Sequence, residues 1–199
     1  MKKGMSCLIG IIVALVLILL SIFLPWYSTN VTGGGAEMSA NIYLDKTEMD
    51  SSLMGKTTMS NEGVDYIQNT MYLTIITSVV CIIALIGILG FAFNFGNPVT
   101  MKKMGAALGI ITFIFALITI IYFMTVSTNY ISESGLAYSA ISGEDVPEIG
   151  FWYSDTINGA SISAGPGFSW YFMLIGGMIA LGSAIKLFLK KEQVSVPAS

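Results

Sequence analysis

Enzymes and metal proteins draw on a short list of side chains, and this chain carries few of them. It has no histidine and two cysteines, Cys7 and Cys81. Both cysteines fall in apolar segments, away from the water an attacking thiolate needs, and a zinc or haem site would lack ligands. The Gly-x-Ser-x-Gly elbow and the phosphate-binding glycine loop are both missing. Carboxylates remain: Asp45, Glu48 and Asp50 gather in one segment, Glu144, Asp145, Glu148 and Asp155 in another. Such oxygens suit calcium, but the spacing of an EF-hand is not there, and a hydrated acidic surface is the plainer reading. The expectation is a protein that is not an enzyme and needs no cofactor or metal.

The elements that carry these residues follow from the distribution of charge. With 54% hydrophobic and 11% charged residues and a mean hydropathy of +0.77, the chain falls outside the soluble class. No charged side chain lies between Lys3 and Glu37, Asp65 and Lys102, Lys103 and Glu133, or Asp155 and Lys186. Each gap holds about 20 or more mostly apolar residues, and about 20 residues rising 1.5 Å each cover a hydrocarbon core of about 30 Å. Spans are therefore expected at residues 7–26, 71–95, 104–126 and 168–189, with loops at 27–70 and 127–167. The expected fold is an all-α four-helix transmembrane bundle, one four-span domain, with a small antiparallel β layer formed by the two loops. Thr74, Thr77, Ser78, Thr112 and Thr119 are the mild polar groups inside the spans. Ion-coupled carriers usually need Asp, Glu, Lys or Arg there.

Lysine sets the expected orientation. All nine basic residues are Lys, and seven of them (Lys2, Lys3, Lys102, Lys103, Lys186, Lys190, Lys191) stand in the two tails and the short middle turn. Basic residues are retained on the cytoplasmic side, so termini inside and both long loops extracytoplasmic, in the cell membrane, is the expectation. Trp26, Tyr27, Tyr72, Tyr122, Trp170 and Tyr171 would then mark the opposite headgroup level. The run after Lys3 is longer than a signal-peptide core and leaves through Pro25-Trp26-Tyr27, which reads as a retained span, with a cleaved signal peptide as the alternative. The partners this implies are the lipid bilayer and other membrane proteins or a second copy, and no nucleic acid.

Small residues recur at helical spacing: Ser6, Gly10 and Ala14 in the first span, Gly105 and Gly109 in the third, Gly176, Ala180 and Ala184 in the fourth. They let backbones approach closely, within the bundle or between copies, and packing inside the bundle is the simpler use. An offset of 99 residues superimposes Gly10-Ile11-Ile12 on Gly109-Ile110-Ile111 and Ser28-Thr29-Asn30 on Ser127-Thr128-Asn129, suggesting a repeat of 1–99 in 100–199. In the first loop Met38, Ala40, Ile42 and Leu44 alternate with polar residues, as a half-buried strand does, after a flexible Gly33-Gly34-Gly35 entry. In the second, residues 149–157 and 160–164 flank Asn158-Gly159, a hairpin signal, and residues 136–141 are a further candidate strand. Phe151, Trp152 and Tyr153 are divided by alternation between sheet core and partner contact, and Asn30-Val31-Thr32 is a glycosylation sequon at Asn30.

Four spans, cytoplasmic termini and a β-rich outer layer resemble, as a layout, the claudin and peripheral-myelin-protein group of tetraspan proteins. That group's first outer loop carries a tryptophan followed by Gly-Leu-Trp and two cysteines. Here the loop has no cysteine and Trp26 stands without the motif, so no site residue is carried over. The functional expectation is a non-catalytic tetraspan acting through protein contacts, as scaffold, accessory subunit or surface contact protein. A small oligomeric channel or carrier is the alternative.

Overall fold

The structure, a computed structural model, describes residues 4–134, 151–157 and 159–190. Among these are four helices and six strands. In chain order they are α1 (Met5–Leu20), β1 (Tyr27–Gly33), β2 (Ala36–Ile42), β3 (Lys46–Ser51), β4 (Gly55–Ser60), α2 (Asp65–Phe93), α3 (Pro98–Ser134), β5 (Tyr153–Ile157), β6 (Ala160–Pro166) and α4 (Phe168–Leu189). Helices α2, α3 and α4 are long and apolar enough to cross a membrane. Helix α1 has 16 residues and is shorter, ending six residues before the end of the span expected at 7–26. Beyond Leu20 the ladder tightens, with the Ile22 and Phe23 amides donating to carbonyls three residues back at 3.1 Å; the Ser21 hydroxyl donates to the Ile18 carbonyl at 2.6 Å, and Pro25 has no N–H with which to continue.

Helices α2 and α3 instead outrun their apolar stretches. The first begins at Asp65 and the second runs through Ser134, so residues 65–70 and 127–134 are helical where loop was expected. Hydropathy reports which part of a helix is apolar, whereas the hydrogen-bond ladder continues through polar turns, and Asp65 suits the positive end of the α2 dipole. Between them the chain reverses in a few residues. Asn94 takes the left-handed conformation that closes α2, and the Asn97 side chain accepts the Val99 and Thr100 amides at 3.0 and 3.3 Å as the cap of α3, with Pro98 in the first helical position.

The four helices form a ring in which α1 and α3 each pack on α2 and α4. Small residues set the spacing. A Cβ added at Gly87 of α2 would lie 2.7 Å from the Gly105 amide nitrogen of α3, and one at Gly109 would lie 2.8 Å from Ala184 Cβ of α4. Gly10 of α1 faces Ser183 of α4, and Gly176 of α4 faces Ala14 and Ile18 of α1. Ala14, Ala180 and Ala184 are fully buried. The small-residue stripes are thus spent on contacts within one chain.

The six strands make one antiparallel sheet in the order β4-β3-β2-β1-β6-β5. The loop expected to hold one strand holds four, and β1 joins it to the second loop by pairing with both β2 and β6. Gly33-Gly34-Gly35 is not a flexible entry. Gly33 pairs with Ala36, so Gly34 and Gly35, at φ +61° and +81°, form a two-residue turn of the kind that needs positive φ twice. Likewise Ile157 pairs with Ala160, and Gly159 has φ +81°; Asn158, residues 136–141, residues 149–150 and the carboxylates Glu144, Asp145 and Glu148 lie outside the described residues. Ser28-Thr29-Asn30 is strand while Ser127-Thr128-Asn129 is helix, so the two halves differ in local structure at that point of the 99-residue offset.

The glycine contacts predict a contrast between two helical positions. Gly87→Ala should destabilise the bundle by about 1–3 kcal/mol, because Gly105 opposes it with backbone that cannot swing aside. Gly182→Ala, where an added Cβ meets nothing within 4 Å, should leave stability unchanged or slightly higher. Thermal unfolding of both variants in the same detergent checks this, and equal losses would contradict the packing described.

Candidate functional site

The sheet stands on one end of the bundle, and its foot is built from the residues that leave α1 and enter α4. The Trp26 amide donates to Ile42 at 2.7 Å, Gly167 donates to Trp26 at 2.9 Å, and Ser169 donates to Pro25 at 3.0 Å. The Ser169 hydroxyl adds a bond to the Leu24 carbonyl at 2.5 Å. Beneath the sheet lies a collar of aromatic rings. Phe123 of α3 sits at its centre, 5.1 Å from Trp26, 6.3 Å from Tyr66 and 6.2 Å, edge-on, from Phe151. Phe151 in turn meets Tyr27 at 5.5 Å and Trp170 at 6.1 Å.

Of the three rings offered as partner contacts, then, Phe151 is core. Trp152 is 55% exposed and stacks edge-on against Phe151 and Trp170. Tyr153 is half-buried at the start of β5, and burial, followed by the nearby Asp155 carboxylate, pushes its phenol up. Trp26 and Tyr27, expected as surface markers of a headgroup layer, are fully buried. The Trp26 indole N–H donates to the Ser21 carbonyl at 2.8 Å. Tyr27 Oη and Trp170 Nε1 have no hydrogen-bond partner among the described residues. Tyr72 and Tyr171 do remain on the surface.

Cross-strand partners share a face, so the registers separate the sheet into two sides. One carries Tyr27, Val31, Met38, Ile42, Met49, Met59 and Ile162; the other carries Ser28, Asn30, Ser39, Asn41, Glu48, Asp50, Lys56, Thr58 and Ser163. The second face has no apolar side chain. Four of its charges form two pairs, Lys46 with Glu48 at 2.5 Å, which holds that carboxyl below its ordinary range, and Lys56 with Asp50 at 3.1 Å, while Glu37 stands on the same face opposite Thr32. Asn30 is exposed in the middle of this face, between Ser39 and Ser163. Asp155 stands on the opposite face, across β6 and β1, so the acidic residues of the two loops do not converge. Among the described residues no group of three or more His, Cys, Asp or Glu is arranged to hold a metal ion.

Connectivity fixes which end of the sheet is free. Tyr27, Ile42, Lys46, Ser60 and Pro166 are at the foot, and the turns at 34–35 and 52–54, with Gly159, are at the far end, about 23 Å away for strands of this length. At that end Leu53 and Met54 are each 79% exposed. They are held in place: the Ser51 hydroxyl accepts both their amides at 3.3 and 3.4 Å, and Ser52 exchanges two hydrogen bonds with Glu37 at 2.9 Å. Neither this tip nor strands β1, β3 and β4 was read from the sequence; the Ser-Ser-Leu-Met-Gly run between two alternating Thr and Met stretches was the available signal.

Inside the bundle the polar side chains turn inward on their own helices. Thr70, Thr74, Thr77 and Ser78 of α2, and Thr112 and Thr119 of α3, each donate to a carbonyl one turn earlier at 2.7–2.9 Å. Cys7 and Cys81 are free thiols, both buried. No protein-family model matches the chain, and no curated protein matches it.

Two substitutions should separate the collar's packing from its polar atoms. Phe123→Ala is expected to cost about 3–5 kcal/mol and to expose the sheet to protease. Tyr27→Phe, which deletes a buried hydroxyl lacking a described partner, should cost nothing or stabilise. Burial pushes the Tyr27 phenol up to about 12, above its unfolded value of about 10. The phenol is therefore neutral in both states below about pH 10, and the folded state loses stability relative to the unfolded one as pH climbs from about 10 through about 12. Unfolding midpoints measured across that window should fall less steeply in Tyr27→Phe than in the parent.

Proposed function

We propose that this chain is a four-pass integral membrane protein of the cell membrane, non-catalytic, with cytoplasmic termini and the sheet outside, that works by binding other proteins through the sheet. The observation that carries the reading is the rigid, exposed far tip on a bundle whose ends differ in charge. Lys102, Lys103, Lys186 and Lys190 stand at the end away from the sheet, and Glu37, Asp45, Glu48, Asp50, Glu62, Asp65 and Asp155 at the sheet end. Lysine retention on the cytoplasmic side gives that charge difference a direction. Helix α1 completes the fourth pass together with the turn at 21–24, because its lipid-facing residues Ile9, Val13, Val16 and Leu20 are exposed and apolar. The threonine hydroxyls inside the bundle are consumed by backbone carbonyls, which argues for a packed support and against a solute path through one chain.

Leu53 and Met54 supply the apolar centre that protein interfaces use, and the Ser51 and Ser52 hydrogen bonds order it before any partner arrives, lowering the entropy cost of binding. The exposed strand β4, which pairs with β3 alone among the described strands, lies beside them and offers main-chain groups to an incoming strand.

Single cysteines test the orientation with low background, since Cys7 and Cys81 are buried. Ser52→Cys should react with an impermeant thiol reagent on intact cells and Val99→Cys only after lysis; the reverse pattern would invert the topology. For the contact role, a photo-crosslinking residue at position 53 or 58 should give a discrete adduct heavier than the chain in native membranes. No adduct from either position, together with solute flux through liposomes carrying the purified protein, would replace this reading by the oligomeric channel or carrier.

A further inference from the structure

At the lysine end of the bundle α1 and α4 part to leave a groove of about 480 Å³, beside the point where Gly10 and Ser183 bring the two helices together. Cys7 contributes from α1, Gly182, Ile185, Lys186 and Leu189 from α4, and Lys190 from the residue that follows it. Gly182, Lys186 and Lys190 follow one another at intervals of four, so they lie along one stripe of α4, with Ile185 and Leu189 forming an apolar stripe beside it. A Cβ at Gly182 would meet nothing within 4 Å, which leaves the floor of the groove open there. Lys186 and Lys190 are both exposed, and no carboxylate lines the groove among the described residues. The mouth is fixed in place from outside the groove: buried Lys102 of α3 reaches across to donate to the Lys190 carbonyl at 2.6 Å, pinning the last turn of α4.

An apolar slot that ends in two cations has the polarity of one kind of molecule in a bilayer, an anionic lipid with its chain inward and its phosphate at the surface. From Gly182 to Lys190 the slot is about 12 Å long, only a little over two helical turns, too short to seat a partner helix along its length. We propose that this groove binds an anionic phospholipid of the lysine-side leaflet, one acyl chain lying over Gly182 between Cys7 and Ile185 and the phosphate held by Lys186 and Lys190. This rests on the reading of the chain as membrane-spanning with its lysine end at the cytoplasmic leaflet.

The test is native mass spectrometry of the full-length protein in detergent with equimolar phosphatidylglycerol and phosphatidylcholine. One phosphatidylglycerol should be retained in preference, on the order of tenfold, as expected for two lysines near a phosphate. The double variant Lys186→Gln, Lys190→Gln should lose the preference, and since both side chains are exposed it should unfold at the parent's temperature. Gly182→Leu should lose retention of both lipids. Equal retention of the two lipids by the parent, or an undiminished preference in the double variant, overturns the proposal, as does recovery of a dimer that Gly182→Leu dissociates, which would assign the groove to a second copy. The cysteine labelling at positions 52 and 99 keeps the two ideas apart. If it gives the expected orientation while lipid preference is missing, the lipid site alone falls; if it fails, the membrane orientation falls with it.

Discussion

Everything above the bundle depends on one crossing, where the chain leaving α1 meets the chain entering α4. Pro25 and Trp26 there accept hydrogen bonds from Ser169 and Gly167, and the two segments lie so close that a Cβ on Gly167 would run into the Pro25 carbonyl. The next residues outward, Tyr27 and Pro166, are the first pair of the β1–β6 ladder, and Tyr27 is also the first partner of Ile42 in β2. The crossing therefore sets the register for both sides of the central strand. A slip of one residue would exchange the faces of β1, turning Tyr27 and Val31 toward the side where Ser28, Asn30 and Thr32 now stand. Glycine at 167 is required for space: its φ of −78° is open to any residue.

The same economy of backbone spacing runs through the helices. Where backbones approach as closely as at Gly87 and Gly105, there is no volume for a polar side chain to reach across, and hydroxyls on buried helix faces find their acceptors on their own helix. Six such bonds on α2 and α3 satisfy donors that would otherwise be buried and unpaired. The interior is consequently tight and its hydroxyls are locally satisfied, with Lys102 at the lysine end the one buried charge among the described residues, a support more than a machine. Positional freedom is left to the surface and to the far end of the sheet.

How much of this was legible depended on whether a residue's partner is near in sequence. Helix α4 matches its apolar run from Phe168 to Leu189 because Gly167 before it and the lysines at its end bound both the ladder and the hydropathy. Helices α2 and α3 were read too short because their first or last turns are polar. Strand β2 shows its period of two in Met38, Ala40 and Ile42, whereas β1, β3 and β4 set Thr, Ser or Gly on the apolar face and so hide it. The three glycines at 33–35 read as slack in sequence because positive φ at Gly34 and Gly35 shows only once Gly33 is paired with Ala36. Of the candidate residues, the run Phe151-Trp152-Tyr153 does not by itself say which ring is core, and that Trp26 meets Phe123 and Tyr27 meets Phe151, contacts that join segments far apart in the chain, is tertiary information.

The sheet's polar face shows why its far end is the better place to look for recognition. Lys46, Glu48, Asp50 and Lys56 neutralise one another in exposed pairs, and such pairs contribute only about 0–1 kcal/mol and screen with salt. A partner docking there must first break or cover them, gaining little in return. Of the two outer strands among the described residues, β5 has only five residues, and β4, which carries Lys56 beside its turn from β3, is open to a polar strand more than to a hydrophobic one. What stays unguarded is the turn between β3 and β4, where Leu53 and Met54 are held outward by the hydroxyls of Ser51 and Ser52. Left without a partner, two large apolar side chains on a fixed turn gain nothing for folding, because they are as exposed in the native chain as in the unfolded one. Ordering them has a conformational cost, and burial against another surface is the interaction through which that cost would be recovered.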